Sequence, residues 1–141
     1  MSNFHLDIVT PDKPFFSDEV EMVIVRGIEG DMAILKGRAP VTTPLKIGKV
    51  RIFQNGEEKV AAVVDGYISV VDDKTTIVTE AAEWPQEIDV KRAEEAKERA
   101  EELLKNRRDS IDVKRAELAL QRAINRLEVS KLKKFDEKFD E

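Results

Sequence analysis

Cysteine is absent from the 141 residues, so the chain can hold no disulfide framework, no thiolate zinc site and no thiol nucleophile. Histidine is nearly absent as well. His5, the one copy, falls in a strand-like stretch and reads as a structural residue, not a metal ligand or general base. No apolar run approaches the roughly 18 residues of a membrane-crossing helix, and the N-terminus has no signal-peptide pattern. Excess positive charge is lacking too: the net charge of −5 argues against a surface that is one broad footprint for nucleic acid. Neither a Gly-x-x-x-x-Gly-Lys-Ser/Thr loop nor a Gly-x-Gly-x-x-Gly turn after a strand is present. These absences predict a soluble protein of a reducing compartment that reaches a membrane only through a partner. A nucleotide, where one binds, is bound and not hydrolysed.

What is present divides near Trp84-Pro85. Hydrophobic residues make up 41%, enough for a real core, and charged residues make up 38%, concentrated in the C-terminal third. Before the division the chain reads as short strands and turns. Residues 3–9 alternate, with Phe4, Leu6 and Ile8 on one side. Thr10-Pro11-Asp12-Lys13-Pro14 is turn chemistry. Residues 19–25 and 31–35 read as two more strands, and residues 37–44 as a longer irregular connection. Asn55-Gly56 between 49–53 and 59–64 is a hairpin signal. Asp65-Gly66 is expected to turn the chain into 67–71, and Asp72-Asp73-Lys74 into a last strand at 75–79. Many short strands at close spacing predict an all-β sandwich or flattened barrel over residues 1–84.

From residue 85 the apolar period becomes helical. Ala93, Ala96, Ala100 and Leu103 form one stripe; Ala116, Leu120, Ala123 and Leu127 form another, with Ala119 alongside. The pattern predicts an antiparallel two-helix hairpin over residues 85–141, turning between 106 and 110. Its alanine seam buries little area, and at about 25 cal/mol per Å² it is weakly held. The run Ile88-Asp89-Val90-Lys91-Arg92-Ala93 recurs letter for letter at residues 111–116. Each Asp is expected to cap a helix, and each Lys-Arg pair then falls in the first turn, where the helix dipole disfavours cations by about 0.3–1 kcal/mol. At roughly 100° per residue, Arg92 and Arg99 share one shoulder of the first helix, and Arg115, Arg122 and Arg126 share a shoulder of the second. With the turn centred near Asp109, Arg92 comes level with Arg126 and Arg99 with Arg122, on one face and with no matching row of acids. Clustered guanidinium forks suit phosphate oxygens, so a multiply charged anion is the expected guest.

Several motifs together resemble a known family. The opening Phe4-His5-Leu6-Asp7-Ile8-Val9-Thr10-Pro11, the segment Gly37-Arg38-Ala39-Pro40 followed by Leu45 and Gly48, and Ile88-Asp89-x-x-Arg92-Ala93 are similar to the epsilon subunit of bacterial, bacillus-like F-type ATP synthase. The likeness covers the whole chain. A histidine is commoner in that family at the position of Arg38, which implies a change at a contact surface.

The resemblance implies a non-catalytic rotor subunit at the cytoplasmic face of the cell membrane. Its sandwich would dock on the gamma subunit and the c-ring, with Arg38, Ala39 and Pro40 at a partner contact. The hairpin would block ATP hydrolysis when extended, through contacts of basic residues such as Arg115 with acidic loops of the beta subunits. Folded, it would bind ATP, with or without Mg2+, as a regulatory ligand. Glu83, Ile88, Asp89 and Ala93 would then surround adenine and ribose, and Arg92, Arg99, Arg122 and Arg126 would hold the phosphates.

Two other classes remain as readings. A nucleic-acid module could use the basic face of the hairpin, but the acidic net charge and the scarcity of stacking aromatics there count against it. An enzyme could use Glu83, Glu87 and Asp89, but these have structural roles at a junction and a cap, and no nucleophile or metal set accompanies them.

Overall fold

The computed structural model describes residues 2–106 and 110–132 and divides into two compact units, Met1–Ala82 and Glu83–Glu141. The first is all β, in eight strands: β1 (Phe4–Val9), β2 (Pro14–Val20), β3 (Met22–Gly27), β4 (Gly30–Ile34), β5 (Val41–Leu45), β6 (Gly48–Gln54), β7 (Glu57–Val71) and β8 (Lys74–Glu83). They follow the order β2-β1-β8-β7-β5-β3-β4, with β6 bridging β3 and β7. β1 is parallel to β8 and antiparallel to β2. The long β7 pairs with β6 along its first half and with β5 along its second. The alternation in β1 works as expected: Phe4, Leu6 and Ile8 are buried, and the residues between them face outward. Val23, Val25, Ile34, Val50, Ile52, Val63, Ile68 and Ile77 complete an aliphatic core. The sandwich expected over this half is therefore present.

Three local expectations need correction. Residues 19–25 are not one strand, because the chain bends at Glu21, whose N–H is held by the Phe53 carbonyl (2.8 Å). Val20 and Val23 are both fully buried, which an uninterrupted strand cannot do on one face, since residues three apart point oppositely. Strand β2 also takes in Pro14, read as the end of a turn, and residues 15–18, to which the sequence assigns no element. The end of the 37–44 connection is also a strand: Val41–Leu45 pairs with β7, with Pro44 opposite Tyr67. Pro44 is tolerated because β5 meets β3 only at Leu45, leaving its other edge free of ladder bonds.

Third, Asp65-Gly66 is a bend inside continuous β7 and not a turn between strands. Gly66 has φ +128°, and a Cβ there would overlap the Val78 carbonyl, so only glycine fits. True two-residue turns occur elsewhere. Asn55-Gly56 (φ 53° and 77°) joins β6 to β7, and Asp72-Asp73 (φ 47° and 62°) joins β7 to β8.

The second unit opens with a 3-10 turn, Pro85–Glu87, followed by α1 (Val90–Asn106) and α2 (Ser110–Ser130). Glycine and proline are both missing after Pro85, so neither helix carries such a breaker in its interior. Ala93, Ala100, Ala116 and Ala123 are buried along the seam, as their spacing requires. Leu103 is the exception. At about 100° per residue it lies some 80° from Ala93, whereas Leu104 lies about 20° away. Leu103 is accordingly 56% exposed and Leu104 half-buried. The turn centre proposed at Asp109 falls outside the described residues.

Candidate functional site

The segment entering α1 is fixed by local backbone bonds. Glu87 Oε1 accepts from the Trp84 N–H (2.9 Å), and the Glu87 N–H donates back to the Trp84 carbonyl (3.0 Å). Ile88 follows in extended conformation with its side chain buried. Asp89 then caps α1: its Oδ1 accepts from the Arg92 N–H (3.1 Å), and its carbonyl accepts from the Ala93 N–H (3.0 Å). Ile-Asp-x-x-Arg-Ala is thus a capping unit. Ile88 and Ala93 pack inward, Asp89 satisfies a free donor, and Arg92 stands exposed in the first turn.

The second copy of the motif behaves differently. α2 starts at Ser110, so Asp112 lies inside the first turn and is not the cap that its sequence twin is. Lys114 and Arg115 consequently fall beyond the first turn, where the dipole penalty has faded. The repeated word takes its role from where the helix begins, three residues earlier relative to the motif in the second case.

Arg99 lies two turns along α1 from Arg92, about 10 Å away at 1.5 Å per residue. Arg122 and Arg126 are one turn apart on α2, within reach of a common ligand. Arg115, exposed, lies two further turns toward the start of α2. The expected lack of matching acids fails at Arg126. Arg126 is gripped by Glu83, Nε to Oε1 at 2.7 Å and Nη2 to Oε2 at 3.1 Å. Arg99 lines a shallow groove with Glu95, Glu98, Glu102 and Leu103. Helical spacing could have shown the latter group, whereas the Glu83–Arg126 pair spans 43 residues and has no periodic signature.

In the other unit, Arg38, Ala39 and Pro40 are all exposed on the loop before β5. The loop is held by the Arg38 N–H on the Leu35 carbonyl (3.3 Å) and the Gly37 N–H on Asp73 Oδ1 (3.1 Å). His5 has partners that the sequence did not reveal. Its Nδ1 meets Glu19 Oε2 (2.9 Å), and its Nε2 meets both Asp7 Oδ1 (3.0 Å) and Ser17 Oγ (3.2 Å). A Ser-His-acid line invites a nucleophilic reading, but carboxylates on both ring nitrogens favour the doubly protonated imidazolium. Hydrogen bonds to Glu19 first and Asp7 second raise the His5 pKa above its ordinary 6.5. With both ring nitrogens engaged by side chains of β1 and β2, the cluster ties the two strands together.

Comparison with known proteins covers both units. Residues 3–85 match the family described as ATP synthase, Delta/Epsilon chain, beta-sandwich domain, and residues 86–131 match its long alpha-helix domain. The chain belongs to the ATP synthase delta/epsilon family. An ATP synthase epsilon chain of Alkaliphilus metalliredigens is 54% identical over 94% of this chain and 98% of its own length. One from Bacillus cytotoxicus is 49% identical over 94% of this chain and 100% of its own. Among solved structures, a Euglena gracilis mitochondrial ATP synthase assembly contains a chain with the same fold. Its TM-score is 0.77 and its identity 22%, over 86% of this chain and 77% of that one. For this epsilon-family chain, the sandwich followed by two helices is therefore the family architecture. Among the described residues no helix is long and apolar enough to cross a membrane.

Proposed function

We propose that the chain is a non-catalytic, regulatory subunit of the rotor of a proton-translocating F-type ATP synthase, peripheral to the cytoplasmic face of the membrane. The sandwich docks on the gamma subunit and the c-ring, with the exposed Arg38-Ala39-Pro40 loop at a partner contact. The helices, folded as a hairpin, bind ATP; extended toward the beta subunits, with Arg115 meeting their acidic loops, they inhibit hydrolysis. Family membership across both units is the observation that carries the rotor role. ATP binding is supported by the capping unit at residues 88–93, which leaves Arg92 exposed, and by Arg122 and Arg126 one turn apart. In this reading Glu83, Ile88, Asp89 and Ala93 surround the nucleoside, while Arg92, Arg99, Arg122 and Arg126 hold the phosphates. Mg2+, where it binds, rides on the phosphate oxygens.

The non-catalytic reading has its own support. Glu83, Glu87 and Asp89, the acids an enzyme would need, are each engaged: with Arg126, with the Trp84 N–H and with the Arg92 N–H. Calorimetric titration of the full chain with ATP tests the site. Arg92→Ala or Arg126→Ala should each weaken binding by about 1.5–3 kcal/mol, the value of a charge-assisted hydrogen bond. Arg115→Ala should leave binding unchanged. Equal losses for Arg115 and Arg92 would overturn the arginine assignment, and no heat at millimolar ATP would overturn nucleotide binding altogether.

A further inference from the structure

The four arginines of the proposed phosphate site are unequal before any ligand arrives. Among the described residues, the side chains of Arg92, Arg99 and Arg122 have no carboxylate within ion-pair distance, and Arg126 has one on both arms of its fork. The pair is partly shielded, with Arg126 27% and Glu83 31% exposed. Glu83 is the last residue of β8, just ahead of the 3-10 turn, and Arg126 is on the last turns of α2. The bond therefore joins the end of the second helix to the segment that leads into the first, at the end of the hairpin away from residues 107–109. Both residues belong to the same compact unit.

We propose that Glu83–Arg126 is a ligand-independent clasp on the hairpin, which holds the C-terminal turns of α2 closed when no nucleotide is bound. Two observations support it besides the geometry. The seam it reinforces is made of alanines, Ala93, Ala100, Ala116 and Ala123, which bury little area. Arg122 sits one turn before Arg126, an i,i+4 like-charge pair that repels unless an anion lies beside it. Glu83 is the anion the chain itself supplies. A bidentate guanidinium–carboxylate pair also fixes orientation, which a lone contact between point charges would not. The clasp concerns the nucleotide-free chain, so it stands or falls separately from ATP binding.

Amide hydrogen exchange of the full chain, without nucleotide and at low salt, tests it directly. Wild type is compared with Glu83→Gln, Arg126→Gln and the reciprocal swap Glu83→Arg with Arg126→Glu. Each single substitution should speed exchange in residues 120–130 about two- to fivefold, the range for a partly exposed ion pair. Strands β6 and β7 should be unaffected, which shows that the chain still folds. The swap should return residues 120–130 most of the way to wild type. Raising salt to about 1 M should speed the wild type and should not speed Glu83→Gln. Wild-type rates in Glu83→Gln, or a swap that exchanges as fast as the single variants, would show that the pair does not hold the hairpin.

Discussion

His5 shows how a residue's neighbours decide its chemistry. Alone in a strand it would titrate near 6.5; between Glu19 and Asp7, with Ser17 beside it and Lys74 close to Asp7, its charged form is favoured. The folded-state pKa is raised, so the stability it contributes is fully present below the unfolded value and is lost as pH rises through the folded one. Because His5 is the only histidine, its ring proton gives a single resonance to follow. That resonance should titrate with a midpoint above 6.5. The stability advantage of wild type over His5→Gln in urea should shrink as pH rises from about 6 to about 8. A midpoint at or below 6.5 would mean that the two carboxylate contacts do not form in solution.

Strand β7 is where one element carries two kinds of glycine. Gly56 needs its positive φ for the hairpin turn but has open space around its α-carbon, whereas Gly66 has both a positive φ and the Val78 backbone against it. Gly56→Ala should cost only the backbone strain, about 1 kcal/mol. Gly66→Ala adds a clash with a carbonyl that cannot rotate away, and should cost about 3 kcal/mol or more. Chemical denaturation of both variants checks the order; equal losses would mean that β7 runs straight past Asp65.

The same strand explains what could be read from sequence. Asn55-Gly56 announces itself because turn type demands those residues, and β1 because alternation repeats every two residues. The bend at Glu21 and the one at Asp65-Gly66 are not legible locally because each is set against a distant strand. In the helices, the buried alanines followed from a 3.6-residue period, while the choice of Leu104 over Leu103 needed the period's small drift. The Glu83–Arg126 pair was beyond any local pattern, since nothing near either residue names the other.

Taken whole, the proposed molecule joins a sandwich to a hairpin whose closed state has three contributions: a thin alanine seam, one internal ion pair and a polyphosphate. A ligand that binds only the closed form stabilises it by RT ln(1 + [L]/Kd), about 2.7 kcal/mol at a hundredfold excess over Kd. That takes an even equilibrium to roughly 99:1 closed. High ATP should therefore keep the helices folded and the assembled enzyme free to turn over, and falling ATP should release them to extend and inhibit. Asp89→Ala removes the cap that aims Arg92, at about 1 kcal/mol of helix stability, and Arg92→Ala removes a phosphate contact. Together they should abolish the response, so that inhibition no longer depends on ATP concentration. The measurement is hydrolysis by enzyme reassembled with wild-type or doubly substituted chain, across ATP concentrations and with the catalytic subunits unchanged. Identical ATP-dependent release from inhibition with both chains would place the sensor outside this hairpin. Release with wild type alone would place it at the start of α1.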